Sequence, residues 1–235
     1  MEKKRIVKKG ISQIRNSFSS KHWFEDIIDS YLDARKGEAR ISEEFHPSGA
    51  GSCPRLIQLQ MNGSVYEEVE PRIKRIFENG NFMQARYKKY LEGAGKFIEE
   101  EIPMRIEVDD IVIKGRADMI VLDNYDNKQL MEFKSINTRG FNELITNQAP
   151  KEEHLMQWTL YSHGLSLYDG VILYENKDDQ RMKPFQVKYN SDLFNLIVAK
   201  FKMIDDCNKK GVLVPKPMKV NCYWCGAKRL CAKEK

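Results

Sequence analysis

The chain has 235 residues, of which 31% are charged and 41% hydrophobic, and its formal net charge at neutral pH is +5. That length fits one large domain, or one domain with appendages, and buries enough apolar surface to fold without a covalent staple. No apolar run approaches the roughly 20 residues of a membrane span, and residues 1–15 are too rich in Lys for a secretory leader, so a cytoplasmic, non-membrane protein is expected.

Apolar positions Phe18, Trp23, Ile27, Ile28, Tyr31 and Leu32 recur at helical spacing and predict an amphipathic helix over 16–36. Residues 1–44 are set apart as a basic N-terminal helical extension, and 45–235 as the main domain. The small-residue loop HPSGAGSC follows, and Pro54 opens a short helix, PRLIQLQMN, leaving Cys53 at a loop-to-helix junction. Residues 72–92 predict a basic helix weakened at Gly80. Arg72, Lys74, Arg75, Arg86, Lys88 and Lys89 alternate there with Phe77, Phe82, Tyr87 and Tyr90, rings that at helical spacing belong mostly to the core.

The period then changes. FIEEEIPMRIEV, DIVIKGRADMIVL and QLMEFKSI predict strands, a helix follows at about 151–165, then strands GVILYEN and PFQVKYN, a helix at 191–209, and a Pro-punctuated tail ending in a helical turn. This order predicts an α/β fold with a central mixed sheet flanked by helices.

Asp118 and Glu132 fall on two consecutive strands. Paired across the DNYDNK turn, they can reach one end of the sheet and supply hard oxygen ligands for Mg²⁺ or Mn²⁺. Lys134, two residues after Glu132, points to the same face, where an ammonium can orient a water and hold a phosphate. The charge distribution agrees: residues 1–15 carry six Lys/Arg and residues 207–235 carry eight, while residues 97–153 hold thirteen Asp/Glu against seven Lys/Arg. Basic flanks around an acidic centre suit an enzyme that gathers phosphates and holds a divalent cation. Glu101 is a further candidate carboxylate, with a surface charge as the plainer reading.

Five cysteines with one C-x2-C pair fit reduced thiols better than a disulfide framework. Cys53 stands alone, and Cys222, Cys225 and Cys231 form C-x2-C-x5-C; thiolates gathered from both would fold the tail back onto the head. Four thiolates fit Zn²⁺ or an iron–sulfur cluster, although a structural zinc more often uses two C-x2-4-C knuckles. Cys207 reads as a free thiol. His22, His46 and His163 read as structural, and His154 as a hydrogen-bonded residue on the helical face of Gln157.

The pieces S-x4-C-P-R at Ser48–Arg55, G-R-A-D at 115–118, E-F-K at 132–134, Q-x3-Y at 157–161 and the terminal C-x2-C-x5-C together resemble the RecB-type PD-(D/E)XK nucleases. Over residues 45–231 the chain is most similar to their iron–sulfur exonucleases: the CRISPR-associated RecB-like exonuclease, the AddB-type nuclease domain and phage relatives. The resemblance implies a metal-dependent DNA exonuclease in recombination, repair or phage DNA processing. Asp118 and Glu132 would ligate the metal with the Phe133 carbonyl, and Lys134 would be the catalytic lysine. Gln157 and Tyr161 would position the nucleic acid. Cys53, Cys222, Cys225 and Cys231 would hold a [4Fe–4S] cluster joining the N- and C-terminal parts of the fold.

One departure stands out: Gln84 occupies the place of the family's metal-binding His. A one-metal or weakened site, an inactive relative that binds DNA or a protein partner, and a substituted version of an active protein all remain open. Arg139 and Lys177, each just after a strand, are placed to contact phosphates without reading base sequence.

Overall fold

Five runs of apolar residues pair into one sheet in the computed structural model, which describes residues 22–34, 43–65, 69–217, 222, 225 and 227–233. The strands are β1 (Phe97–Val108), β2 (Ile111–Leu122), β3 (Lys128–Ile136), β4 (Asp169–Asn176) and β5 (Met182–Lys188), and they lie side by side in chain order. β1/β2, β2/β3 and β4/β5 are antiparallel, with short turns between them. At the β2–β3 turn the Asp123 carboxylate accepts from the amides of Tyr125 (2.8 Å) and Asn127 (2.9 Å), an Asx turn that closes the chain on itself. β3 and β4 are parallel, and such a pair requires a crossover, here made of two helices.

The helices are α1 (Trp23–Ala34), α2 (Pro54–Met61), α3 (Pro71–Gly93), α4 (Thr138–Asn147), α5 (Glu152–Leu165), α6 (Ser191–Lys209) and α7 (Lys228–Lys233). Among the described residues the chain divides into two compact units. One comprises α1 and residues 71–78 of α3, with Lys74 Nζ donating to the Leu32 carbonyl at 2.7 Å and Arg75 paired with Asp29. The other contains the sheet and the remaining helices, and all that follows concerns it.

α5 is buried from Met156 through Ser162, because it lies in the layer between the sheet and α6. Trp158 is fully buried there and donates its indole N–H to the Leu130 carbonyl at 3.1 Å, so the largest ring in the core carries no unsatisfied polar group. Ile113, Leu130, Ile172, Tyr174, Leu160, Ile197 and Phe201 complete this larger core. On the other face of the sheet α3 contributes Met83 and Tyr87 to a smaller one with Met119, Val121, Phe133 and Leu173. Gly170 is required by contact: a Cβ there would lie 2.0 Å from the Leu130 carbonyl oxygen.

Residues 212–214 run along α2. Gln58 donates to the Val212 carbonyl (2.8 Å) and accepts from the Val214 amide (2.7 Å), and Arg55 Nε donates to the Val214 carbonyl (2.8 Å). The stretch leading to the three C-terminal cysteines is thus clasped to the helix that Cys53 opens.

Three local expectations change. α4 was not foreseen, because Gly140, β-branched residues and two Asn dilute its helical pattern. It is fixed by the Asn137 side chain accepting from the Gly140 amide (2.9 Å) and by buried Phe141 and Leu144. α3 passes through Gly80 without a break, since its backbone ladder continues on both sides. Of the four rings on α3 only Tyr87 is buried; Phe77, Phe82 and Tyr90 are exposed, because the inner stripe of the helix is narrow and is filled by Met83 and Tyr87. Residues 16–21 and 35–36 of the expected N-terminal helix lie outside the described residues.

Candidate active site

Asp118 owes its position to a break in the β1–β2 ladder. From Glu99 to Val108 every β1 residue but Glu101 has a paired partner, and Glu101, opposite Asp118, takes a left-handed backbone conformation (φ 53°). Such a conformation costs a non-glycine residue about 1–3 kcal/mol and collects at functional positions. The side-chain alternation of β2 changes phase at this point: Ile111, Ile113 and Ala117 join the core under α5, whereas Met119 and Val121 join the one under α3. Asp118 Oδ2 accepts from the Phe133 amide at 2.8 Å, which ties β2 to β3 beside Glu132. Burial raises the pKa of Asp118, with the Phe133 amide and Lys134 pulling the other way.

Glu132 and Lys134 project from β3 toward α5. Glu132 is 1% exposed, and its Oε1 receives Lys134 Nζ at 2.7 Å and Gln157 Nε2 at 2.8 Å. The Gln157 amide closes the triangle, since its oxygen accepts from Lys134 Nζ at 2.9 Å. One amide therefore orients both the carboxylate and the ammonium. Tyr161, one helical turn on, lies at the edge of the same set, its hydroxyl accepting from Gln157 Nε2 at 3.4 Å. Burial and the neighbouring Asp118 carboxylate outweigh Lys134 and push the Glu132 carboxyl up to about 8.

Gln84 reaches the site from α3, its amide nitrogen donating to the Asp118 main-chain carbonyl at 3.2 Å. The structure thus gathers Gln84, Asp118, Glu132, Lys134, Gln157 and Tyr161. Phe133 joins them through its backbone alone. Its ring turns to the opposite face of the sheet and stacks on Tyr87, with centroids 5.2 Å apart.

A divalent cation suits this donor set. Glu132 Oε2 is buried and has no hydrogen-bond partner among the described residues, a costly state for a carboxylate oxygen and one that a cation would relieve. Among the described residues no three His, Cys, Asp or Glu side chains converge on one point. The two carboxylates would then be the side-chain ligands, and a main-chain carbonyl and waters would complete the shell, the habit of Mg²⁺.

Arg139 and Lys177 lie apart from this cluster, on a cleft at the end of β3, where Arg139 pairs with Glu143 at 3.3 Å. Lys151, on the same cleft, belongs to no motif and was not foreseen. His154 shares a hydrogen bond of 2.8 Å with the Tyr174 hydroxyl, which also accepts from the Lys151 amide (3.0 Å). Burial depresses the His154 imidazole pKa to about 3, so the ring is neutral. His163 stacks on Phe194, and His46 bonds to the Lys114 carbonyl. Glu101 pairs with Arg116 at 3.2 Å. Cys53, Cys207, Cys222, Cys225 and Cys231 are all half-buried free thiols.

No protein-family model matches the chain, and no curated protein matches it in sequence. Solved structures do match. SSO0001 is 19% identical, with a TM-score of 0.56 over 88% of this chain and 93% of its own. The alkaline exonuclease LHK-Exo from Laribacter hongkongensis is 15% identical, with a TM-score of 0.50 over 72% of this chain and 93% of its own. LHK-Exo in complex with dAMP is 16% identical, with a TM-score of 0.52 over 74% and 95%. The five-stranded mixed sheet with its flanking helices is therefore a fold shared with SSO0001 and with the alkaline exonuclease LHK-Exo.

Proposed function

We propose that the chain is a divalent-metal-dependent DNA exonuclease that hydrolyses phosphodiester bonds of single strands or duplex ends with little sequence preference. The observation that carries this reading is the buried Glu132–Lys134–Gln157 triangle beside Asp118, with one carboxylate oxygen unanswered, on a fold shared with an alkaline exonuclease.

Asp118, Glu132 and the Phe133 carbonyl would hold Mg²⁺ or Mn²⁺, which supplies Lewis-acid polarisation of a phosphoryl oxygen and a more acidic water. Glu132 would serve as a ligand in its ionised form. The Lys134 ammonium, held by Gln157, orients the attacking water and neutralises charge that grows on the phosphate. Tyr161 and Gln157 fix the backbone of the strand beside these groups.

End-labelled single- and double-stranded DNA should be degraded with Mg²⁺ or Mn²⁺, and Asp118→Ala, Glu132→Ala or Lys134→Ala should abolish the reaction. Wild-type protein that leaves both substrates intact would refute the enzyme reading. A second reading is a nuclease fold that grips DNA or a protein partner without cutting, and the Gln84 contact favours it. An amide donating to a backbone carbonyl is a poorer metal ligand than imidazole. Gln84→His that creates cleavage in an otherwise inert protein would establish this second reading.

We also propose a structural [4Fe–4S] cluster on Cys53, Cys222, Cys225 and Cys231, four thiols that do not converge on one point among the described residues. The clasp of residues 212–214 on α2 supports the assignment by bringing the tail to the helix that Cys53 opens. Purified protein should be brown and contain iron and acid-labile sulfide; a colourless protein with zinc would replace this assignment. A role in recombination, repair or phage DNA processing accords with this combination of nuclease site and cluster.

A further inference from the structure

Past Lys134, β3 continues through Ser135 and Ile136 to Asn137, which caps α4, while β4 runs parallel with Ser135 opposite Glu175 and Ile136 opposite Asn176. These strand ends and the segments entering α4 and α5 surround a cleft of about 440 Å³, lined among others by Ser135, Asn137, Arg139, Glu143, Lys151 and Lys177. Its charges are not equivalent. Arg139 is engaged by Glu143, and Asp178 accepts from the Thr138 amide (2.9 Å) and hydroxyl (2.6 Å), so the positive end of α4 is already answered.

Lys151 and Lys177 differ from Arg139: among the described residues neither ammonium has a carboxylate partner within ion-pair distance. Both are held in place by their backbones, Lys177 N donating to the Ile136 carbonyl (2.9 Å) and Lys151 N to the Tyr174 hydroxyl (3.0 Å). Two anchored, unpaired cations thus face one open cleft with a serine hydroxyl at its edge. On a strand, Asn137 lies about 10 Å beyond Lys134, roughly three axial rises of one nucleic-acid strand.

We propose that the cleft between Lys151 and Lys177 is a subsite for an internal backbone phosphate of the strand whose scissile bond lies at Asp118, Glu132 and Lys134. The assignment rests on the nuclease reading and adds to it the path of the strand: it leaves the catalytic cluster along the C-terminal ends of β3 and β4. The contact is made to phosphate, so it holds the substrate in register without selecting bases.

The test measures fluorescence anisotropy of a labelled, hydrolysis-resistant phosphorothioate single strand across a salt series, for wild type and for Lys151→Ala/Lys177→Ala. Loss of the subsite should weaken binding roughly tenfold and flatten the plot of log affinity against log salt by about 0.7 per phosphate contact removed. The Lys151→Arg/Lys177→Arg protein should restore both values, which separates lost charge from a damaged fold. Unchanged affinity and slope in the alanine variant overturn the subsite, as does an arginine variant that fails to rescue while melting like wild type.

Cleavage of the unmodified strand by wild type with Mg²⁺ is measured in parallel. Wild type that cleaves while the alanine variant binds normally refutes the subsite and leaves the nuclease reading standing. Wild type that fails to cleave while the slope still falls refutes the nuclease reading and leaves a nucleic-acid-binding cleft.

Discussion

The sheet carries two buried glutamates on opposite faces, and they are finished to different degrees. Glu175, on the α3 side and 5% exposed, has both oxygens answered: Arg86 donates to each of them, and Tyr87 adds its hydroxyl at 2.6 Å. Glu132, on the α5 side and 1% exposed, has one oxygen bonded by Lys134 and Gln157 and the other by none of the described residues. Burying a carboxylate is expensive, and a fold that only needed stability would complete both or replace them with apolar residues. The contrast separates a structural clamp, which holds α3 to β4, from a site left open for a ligand.

The largest expected effect is on activity. Glu132→Gln should lower metal-dependent DNA degradation by about 10³-fold, in line with losing a group that stabilises charge in the transition state. Glu175→Gln should leave most of the rate; an equal loss in both would erase the distinction between clamp and site.

Stability should respond in the opposite sense. Glu175→Ala removes the partner of a partly exposed Arg86 and should cost about 2–3 kcal/mol in chemical denaturation, whereas metal-free Glu132→Gln should cost nothing or stabilise. The pH dependence has a fixed sign. The Glu132 carboxyl is raised from its ordinary 4.5 to about 8, so between those values the folded metal-free protein binds more protons than the unfolded chain. Its contribution to stability is full below about 4.5, falls as pH rises through that window and is lost above about 8. Melting of the metal-free protein from pH 5 to 8 should show this fall, and Glu132→Gln should flatten it. A rise with pH in the wild type, reversed by the variant, would contradict the burial argument.

The smallest effect expected is that of Gln157→Ala. The amide touches both Glu132 and Lys134 without supplying charge and would also help hold the substrate strand, so its loss should reduce kcat/KM by about 10-fold. Gln157→Glu should not rescue it, because a carboxylate would stand beside Glu132.

The sequence displayed the Glu132 side of this comparison far better than the Glu175 side. Strand period and the pairing of consecutive strands placed Asp118, Glu132 and Lys134 near one another, whereas Gln157 and Tyr161, one helical turn apart, were joined to them only by the family resemblance, 23 residues separating Lys134 from Gln157. Glu175 and Arg86 are 89 residues apart on a helix and a strand, and no local pattern marks their pairing. α4 was hidden because its helix depends on a cap and on packing more than on composition. Lys151 looked like any solvated lysine until β3, β4 and α4 enclosed a cleft beside it. The exposed rings of α3 erred in the other direction: helical spacing tells which residues share a face, not how wide a stripe the neighbouring sheet can cover.

The clasp of Arg55 and Gln58 on residues 212–214 also sets an order of events as the chain is made. Its hydrogen bonds span 154 to 159 residues. At about 5–20 residues per second of synthesis, α2 emerges from the ribosome roughly 10–30 s before the segment it will hold. Until then Arg55 and Gln58 stay in water, because sealing them without Val212 and Val214 would bury unpaired polar groups. Closure of this part of the molecule therefore waits for residues 212–214 to be synthesised, and a chain cut short at residue 211 would leave Arg55 and Gln58 without these carbonyl and amide partners.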